Sequence, residues 1–257
     1  MVGFRGIIKR RELLSKAVAF AHGGRSVEML KFRKASGALV LIIGLMASGP
    51  AMARCKDPAS AGVDWKGCNM QMKILEKTDL AGANLEGAFL SGTVFFGSRL
   101  TEANLQRAEL VRTSFQKADL SGANLEKAMA ARALFDSAAL KSARLVKAEF
   151  HRVSFEDADL SGADMTEGDF IRNNFANANL AGASMEGATL PRSIFHGANL
   201  NGASFKRAYL YWTRFEGTDL SGAKDLTQEQ LDITCGNQDT RLPAGLSAPK
   251  NWPCGED

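Results

Sequence analysis

Ala118-Asp119-Leu120-Ser121-Gly122 returns unchanged as Ala158-Asp159-Leu160-Ser161-Gly162, and with small changes as Ala178-Asn179-Leu180-Ala181-Gly182 and Ala198-Asn199-Leu200-Asn201-Gly202. Outward from these segments, every fifth residue from Leu75 to Leu220 is Leu, Phe or Met, with the exception of Ala130. A second series, three residues after each of the first, runs from Thr78 to Ala223 and is mostly Ala, with Thr, Ser and Gly making up most of the rest. Neither a helix nor an ordinary strand repeats every five residues, so the pattern specifies a solenoid.

A longer period lies on top of the short one. Phe95, Phe115, Phe135, Phe155, Phe175, Phe195 and Phe215 recur at intervals of twenty, as do the leucines from Leu80 to Leu220. Side chains at that interval stack if four five-residue sides close one coil, which predicts two uniform inner columns and two mixed ones. Ala130 falls between Leu110 and Phe150 in a mixed column. So narrow a tube admits one large and one small side chain per side, and each large one buried contributes about 1.5–3 kcal/mol. Glycines 82, 122, 162, 182, 202 and 222 mark one corner, where a left-handed backbone is expected.

The quoted units resemble those of the pentapeptide repeat family. The resemblance covers 75–223 and implies an all-β solenoid, a right-handed quadrilateral β-helix with one pentapeptide per side. About seven and a half coils at a strand-like spacing would make a rod on the order of 35 Å long.

Both ends of such a rod expose hydrogen-bonding edges and an apolar cross-section, so caps are expected at 54–74 and 224–257. Val63 and Trp65 supply the first cap with apolar cover. Thr227-Gln228-Glu229-Gln230 has the form of a helix capping box, predicting a short C-terminal helix with Leu226, Leu231 and Ile233 toward the last coil. A capped C-terminus argues for a monomer.

Residues 1–53 read as a targeting segment. The apolar run from Ala38 to Met46 follows Lys31, Arg33 and Lys34, and Ala51-Met52-Ala53 offers small residues for cleavage after Ala53. Synthesis from Met29 instead of Met1 would make this a signal peptide of ordinary proportions. An uncleaved membrane anchor is the alternative. The expected location is the periplasm or the exterior, with no stable membrane insertion after cleavage. Cysteine usage agrees: Cys55, Cys68, Cys235 and Cys254 all follow Ala53, two on either side of the repeat. Two local disulfides in an oxidising compartment are expected, metal ligation being the alternative reading.

No catalytic, cofactor-binding or metal-binding constellation emerges. The chain after Ala53 has only His151 and His196, on different columns, and Asp136 and Glu156 lack a base or orienting partner. One outward pattern carries chemistry. Arg112, Arg132, Arg152, Arg172 and Arg192 recur every twenty residues and Trp212 continues their column, beside Val111, Ala131, His151, Ile171, Pro191 and Tyr211. Such a ridge suits an anionic polymer, a lipid headgroup or an acidic protein surface. The plainer expectation is self-pairing, because Glu109, Glu149 and Asp169 each stand three residues before a ladder arginine.

The function expected is a non-enzymatic exported scaffold that presents a rigid surface to a protein or an anionic envelope component. The resemblance also implies an alternative, since some family members protect DNA gyrase in the cytoplasm by imitating duplex DNA. From Arg54 onward, however, 23 basic residues face 26 acidic ones, a small net charge for a DNA mimic. No nucleic-acid partner is expected.

Overall fold

Residues 55–255 are described by the structure, a computed structural model; the expected targeting segment 1–53 lies outside them. The chain climbs as a four-sided parallel β-helix. Parallel bridges join residues twenty apart, from Asp64 with Asn84 to Ser204 with Lys224. Each side is too short for a full strand except where β1 (Met129–Ala131) pairs with β2 (Glu149–His151) in parallel register. The N–H of most large inward residues, such as Leu85, donates to a carbonyl one coil onward, here Asn104 at 2.7 Å.

Every corner is a tight turn, most of them closed by a hydrogen bond such as Ala83 N–H to Leu80 O at 3.0 Å. Its third residue has positive φ at every fifth position from Gly62 to Gly217. This is the type II turn, which requires a left-handed third residue. Glycine meets that need at the corner of Gly82, Gly122 and Gly162, while other corners carry Arg, Lys, Ser or Asn in the same conformation.

The regular path begins at Gly62 and not at Leu75, so most of the segment expected to cap the first coil belongs to it. Val63, Trp65, Cys68 and Met70 are its buried inward residues. The five-residue series was obscured there because Trp65 and Cys68 replace Leu and Ala, and the exposed Lys73 takes a position otherwise reserved for small side chains. Cover for this coil comes instead from the chain before it: Cys55 bonds Cys68, and the Trp65 indole N–H donates to Asp57 O at 3.3 Å.

At the other end, α1 (Gln228–Leu231) begins with the capping box of Thr227 and Gln230. The Gln230 amide also donates to Phe205 O and Ala208 O, both at 2.8 Å, occupying two carbonyls of the last coil. Beyond it, Cys235 and Arg241 continue the parallel bridges, Leu231 is buried, and Cys235 bonds Cys254.

The phenylalanine column stands as one stack. Successive centroids from Phe95 to Phe215 are 4.8–5.3 Å apart. The gap at Ala130 is filled from the next coil: the Phe150 ring lies 5.8 Å from Phe135 and 6.1 Å from Phe155, and so sits between their levels. Phe170 turns its edge to Phe150, which brings it over Gly168, where an added Cβ would meet the ring at 2.4 Å. Hydroxyls in the small-residue series are satisfied internally, for example Thr113 to Leu90 O at 2.9 Å and Ser193 to Phe170 O at 2.6 Å. Buried Asn173 donates to Phe150 O at 3.0 Å and accepts from Val153 N–H at 2.8 Å.

Gly168 is not left-handed, so its substitution tests packing alone. Gly168→Ala and Ala130→Leu should each destabilise by about 1–3 kcal/mol through overpacking. Denaturant melts should show recovery of most of the second loss in Ala130→Leu/Phe150→Leu.

Candidate functional site: an arginine corner

Arg112, Arg132, Arg152, Arg172 and Arg192 all occupy the left-handed position of one corner, with φ of 55–56°, and Trp212 follows at 55°. Identical backbone geometry aims the side chains alike, and the coil rise sets their axial spacing. The first four are exposed; Arg192 is half-buried, its guanidinium 5.4 Å from the centre of the Trp212 ring.

The expected self-pairing is not what the structure shows. Glu109 accepts from the Ser91 hydroxyl at 2.7 Å, and Asp169 faces His151 Nε2 at 3.2 Å. Among the described residues no ion pair joins Glu149 to the ladder or involves Arg112, Arg132, Arg152 or Arg172. The reason is geometric. An acid three residues earlier sits on the preceding face, where hydroxyl and imidazole partners on adjacent coils are nearer.

Arginines elsewhere behave differently. Arg99, Arg107, Arg144, Arg207, Arg214 and Arg241 each face a carboxylate: Asp79, Glu86, Glu126, Glu186, Glu216 and Asp219 respectively. Arg107, Lys127, Lys147 and Arg207 share the left-handed turn position on another corner, and all four have acidic partners. At Arg112, Arg132, Arg152 and Arg172 the chain accepts left-handed strain of about 1–2 kcal/mol per residue with no acidic partner among the described residues.

The flanking faces carry Glu109, Glu149 and Asp169 and short polar residues, but also large exposed apolar side chains. Met72, Ile74, Phe89, Met129, Leu134, Ile194, Tyr209 and Tyr211 are the exposed large hydrophobic residues, and every one lies on this corner or a face adjoining it. At the C-terminal end Tyr209 stacks beside Tyr211 at 6.3 Å, with Trp212 6.3 Å beyond. Tyr211 and Trp212 form one wall of a cleft of about 320 Å³ closed by Ile233, Thr234 and Cys254. The sequence reading found the ladder but missed the apolar residues on its two flanking faces, which were visible as Leu, Ile, Met and aromatics in outward positions.

Carboxylates with lowered pKa lie away from the ladder. Hydrogen bonds from Arg207 and then Lys206 hold Glu186 below the usual range, and the Ser221 hydroxyl and N–H, with help from Arg241, do the same for Asp219. Asp136 accepts from Gln116 at 3.0 Å and from Ser154, while Glu156 accepts from Asn174 at 3.3 Å, so these acids are held by amides and a hydroxyl and not by each other. Among the described residues no cluster of His, Cys, Asp and Glu is placed to hold a metal, and no helix is long and apolar enough to cross a membrane.

A solenoid with a solid core and four patterned outer corners defines the class of repeat scaffolds. Pentapeptide repeats, in eight copies, match residues 62–97, 74–108, 95–129, 133–170, 169–207 and 192–222. The chain belongs to the pentapeptide repeat family, whose members adopt a right-handed quadrilateral β-helix and are in general non-catalytic structural or binding proteins. Among solved structures, a trypsin-treated form of QnrB1, a plasmid-mediated fluoroquinolone resistance protein, is similar at TM-score 0.59 and 18% identity, over 72% of this chain and 91% of that one. HetL, a pentapeptide repeat protein involved in heterocyst differentiation regulation in the cyanobacterium Nostoc, aligns at TM-score 0.40 and 24% identity over 75% of this chain and 87% of its own. No curated protein sequence matches the chain significantly.

Two outcomes are expected. Arg132→Gly, Arg152→Gly and Arg172→Gly combined should leave the thermal midpoint no lower, since relief of strain and repulsion offsets the added unfolded-state entropy. Glu186→Gln should lower the midpoint slightly at neutral pH. A carboxylate with a depressed folded-state pKa stabilises above its ordinary value and loses that contribution as pH falls through the folded-state value. Melts at descending pH should therefore show the difference from the parent protein closing.

Proposed function

We propose that this chain is a non-enzymatic, exported pentapeptide-repeat scaffold that docks a partner at its arginine corner. The observation that carries the docking role is the coincidence of Arg112, Arg132, Arg152 and Arg172, which have no ion-pair partner among the described residues, with exposed large apolar side chains on the same corner and its two adjoining faces. Arginine, methionine and aromatic residues are those enriched at protein interfaces. On this reading the corner binds, and the seven-ring stack and inter-coil hydrogen bonds hold it straight.

Export is supported by chemistry at both ends of the repeat. Cys55–Cys68 and Cys235–Cys254 are paired, each with Cα atoms 5.4 Å apart, and no free cysteine remains among the described residues. Disulfides of this kind persist in oxidising compartments. The segment before Arg54, with its apolar run and Ala51-Met52-Ala53, supplies the route. Cytoplasmic DNA mimicry is the poorer fit, because the ladder puts cations where a mimic needs phosphate-like charge.

Cell fractionation with N-terminal sequencing tests export: the mature chain should begin at Arg54 and resist thiol labelling until reduced. An intact cytosolic chain with four reactive thiols would overturn the exported role and favour the cytoplasmic alternative.

A further inference from the structure

The chemistry of the corner narrows the partner further, on the reading that the corner is a docking surface. We infer that it receives an acidic amphipathic α-helix of a partner protein, laid along the axis of the solenoid. Three observations select this shape over other anionic ligands.

The first is spacing. The rings stacked beneath the ladder set a rise of 4.8–5.3 Å per coil. A helix advances about 5.4 Å per turn, so acids at i, i+4, i+7 and i+11 present one carboxylate near each of four successive guanidiniums. An extended strand exposes the same face only about every 6.6 Å and drifts out of register within a few steps. Guanidinium and carboxylate can meet through two parallel hydrogen bonds, which rewards this match.

The second is the lateral neighbour of the ladder. Two residues beyond Arg112, Arg132, Arg152 and Arg172 come Ser114, Leu134, Ser154 and Asn174, with Val94 before them and Ile194 after, on the adjoining flat face. Leu134 and Ile194 are exposed, and the residues between them are short. Beside a cationic edge Leu134 and Ile194 offer two apolar contacts, separated by the short Ser154 and Asn174, to the Leu or Ile stripe next to a helix's acidic stripe. A polysaccharide or a nucleic acid has less use for aliphatic side chains. Single strands of nucleic acid stack successive bases on aromatic residues, whereas here the aromatics gather at one end, at Tyr209, Tyr211 and Trp212.

The third is length. Four exposed arginines on successive coils match about three turns of helix, or about 11 residues, a common helix length in globular proteins.

The test uses the full disulfide-bonded chain and a synthetic Ala-rich peptide with Glu at i, i+4, i+7 and i+11 and Leu at the following positions, followed by fluorescence polarisation and circular dichroism. The peptide should gain helicity on binding, and affinity should fall steeply with added salt. Arg132→Gln/Arg152→Gln/Arg172→Gln should weaken it at least tenfold with a shallower salt dependence; Leu134→Ser/Ile194→Ser should weaken it with the salt dependence unchanged. A scrambled peptide of the same composition should bind at least tenfold less. Equal binding of the scrambled peptide would overturn the helix assignment, as would tighter ladder-dependent binding of polygalacturonate or single-stranded DNA; both results would leave the corner as a docking surface. If none of these probes bound in a ladder-dependent way, the docking surface itself would be overturned.

Discussion

The structure depends on one backbone event repeated at every fifth residue, a tight turn whose third residue is left-handed. Four such turns return the chain to its starting azimuth, so a residue and its neighbour twenty positions later come into hydrogen-bonding register. From that follow the rise, the stacking of the phenylalanines and the columns on the outside. L-residues resist this conformation, and only inter-coil hydrogen bonding together with a core buried almost completely can hold so many of them in it.

This constraint separates interior from exterior. Inward positions answer to volume: where Ala130 leaves a gap Phe150 leans into it, and where Phe170 turns edge-on its neighbour is reduced to Gly168. Outward positions answer to almost nothing local, which makes regularity there informative. On the corner of Arg107, Lys127 and Lys147, cations have acidic partners within the chain. On the ladder corner Arg112, Arg132, Arg152 and Arg172 have none among the described residues, although Glu109 and Asp169 lie close in sequence.

Much of the fold was legible because a five-residue period has no other origin, and the twenty-residue recurrence of Phe95 to Phe215 exposed the number of sides. What stayed hidden depended on three-dimensional choice. Trp65 and Cys68 fill inward slots that a search for Leu and Ala passes over, so the first coil read as a cap. Asn173 stands in the small-residue series, where its amide accepts from Val153 N–H and donates to Phe150 O in place of a backbone hydrogen bond. At the corner, the arginine column was visible but its pairing was not, since sequence proximity suggested Glu109 as a counter-ion while the fold gave that carboxylate to Ser91.

The bridges that join residues twenty apart also make the coil a unit of inheritance. Duplicating twenty residues in phase would add one ring to the stack, one turn to each corner and one rung to the arginine ladder, leaving every existing contact in register. Deleting a single residue would instead rotate all later side chains, turning core outward. A protein built this way can lengthen its cationic edge in fixed increments, as a ruler is lengthened, while drift in the number of residues between rungs is removed by the collapse of the core.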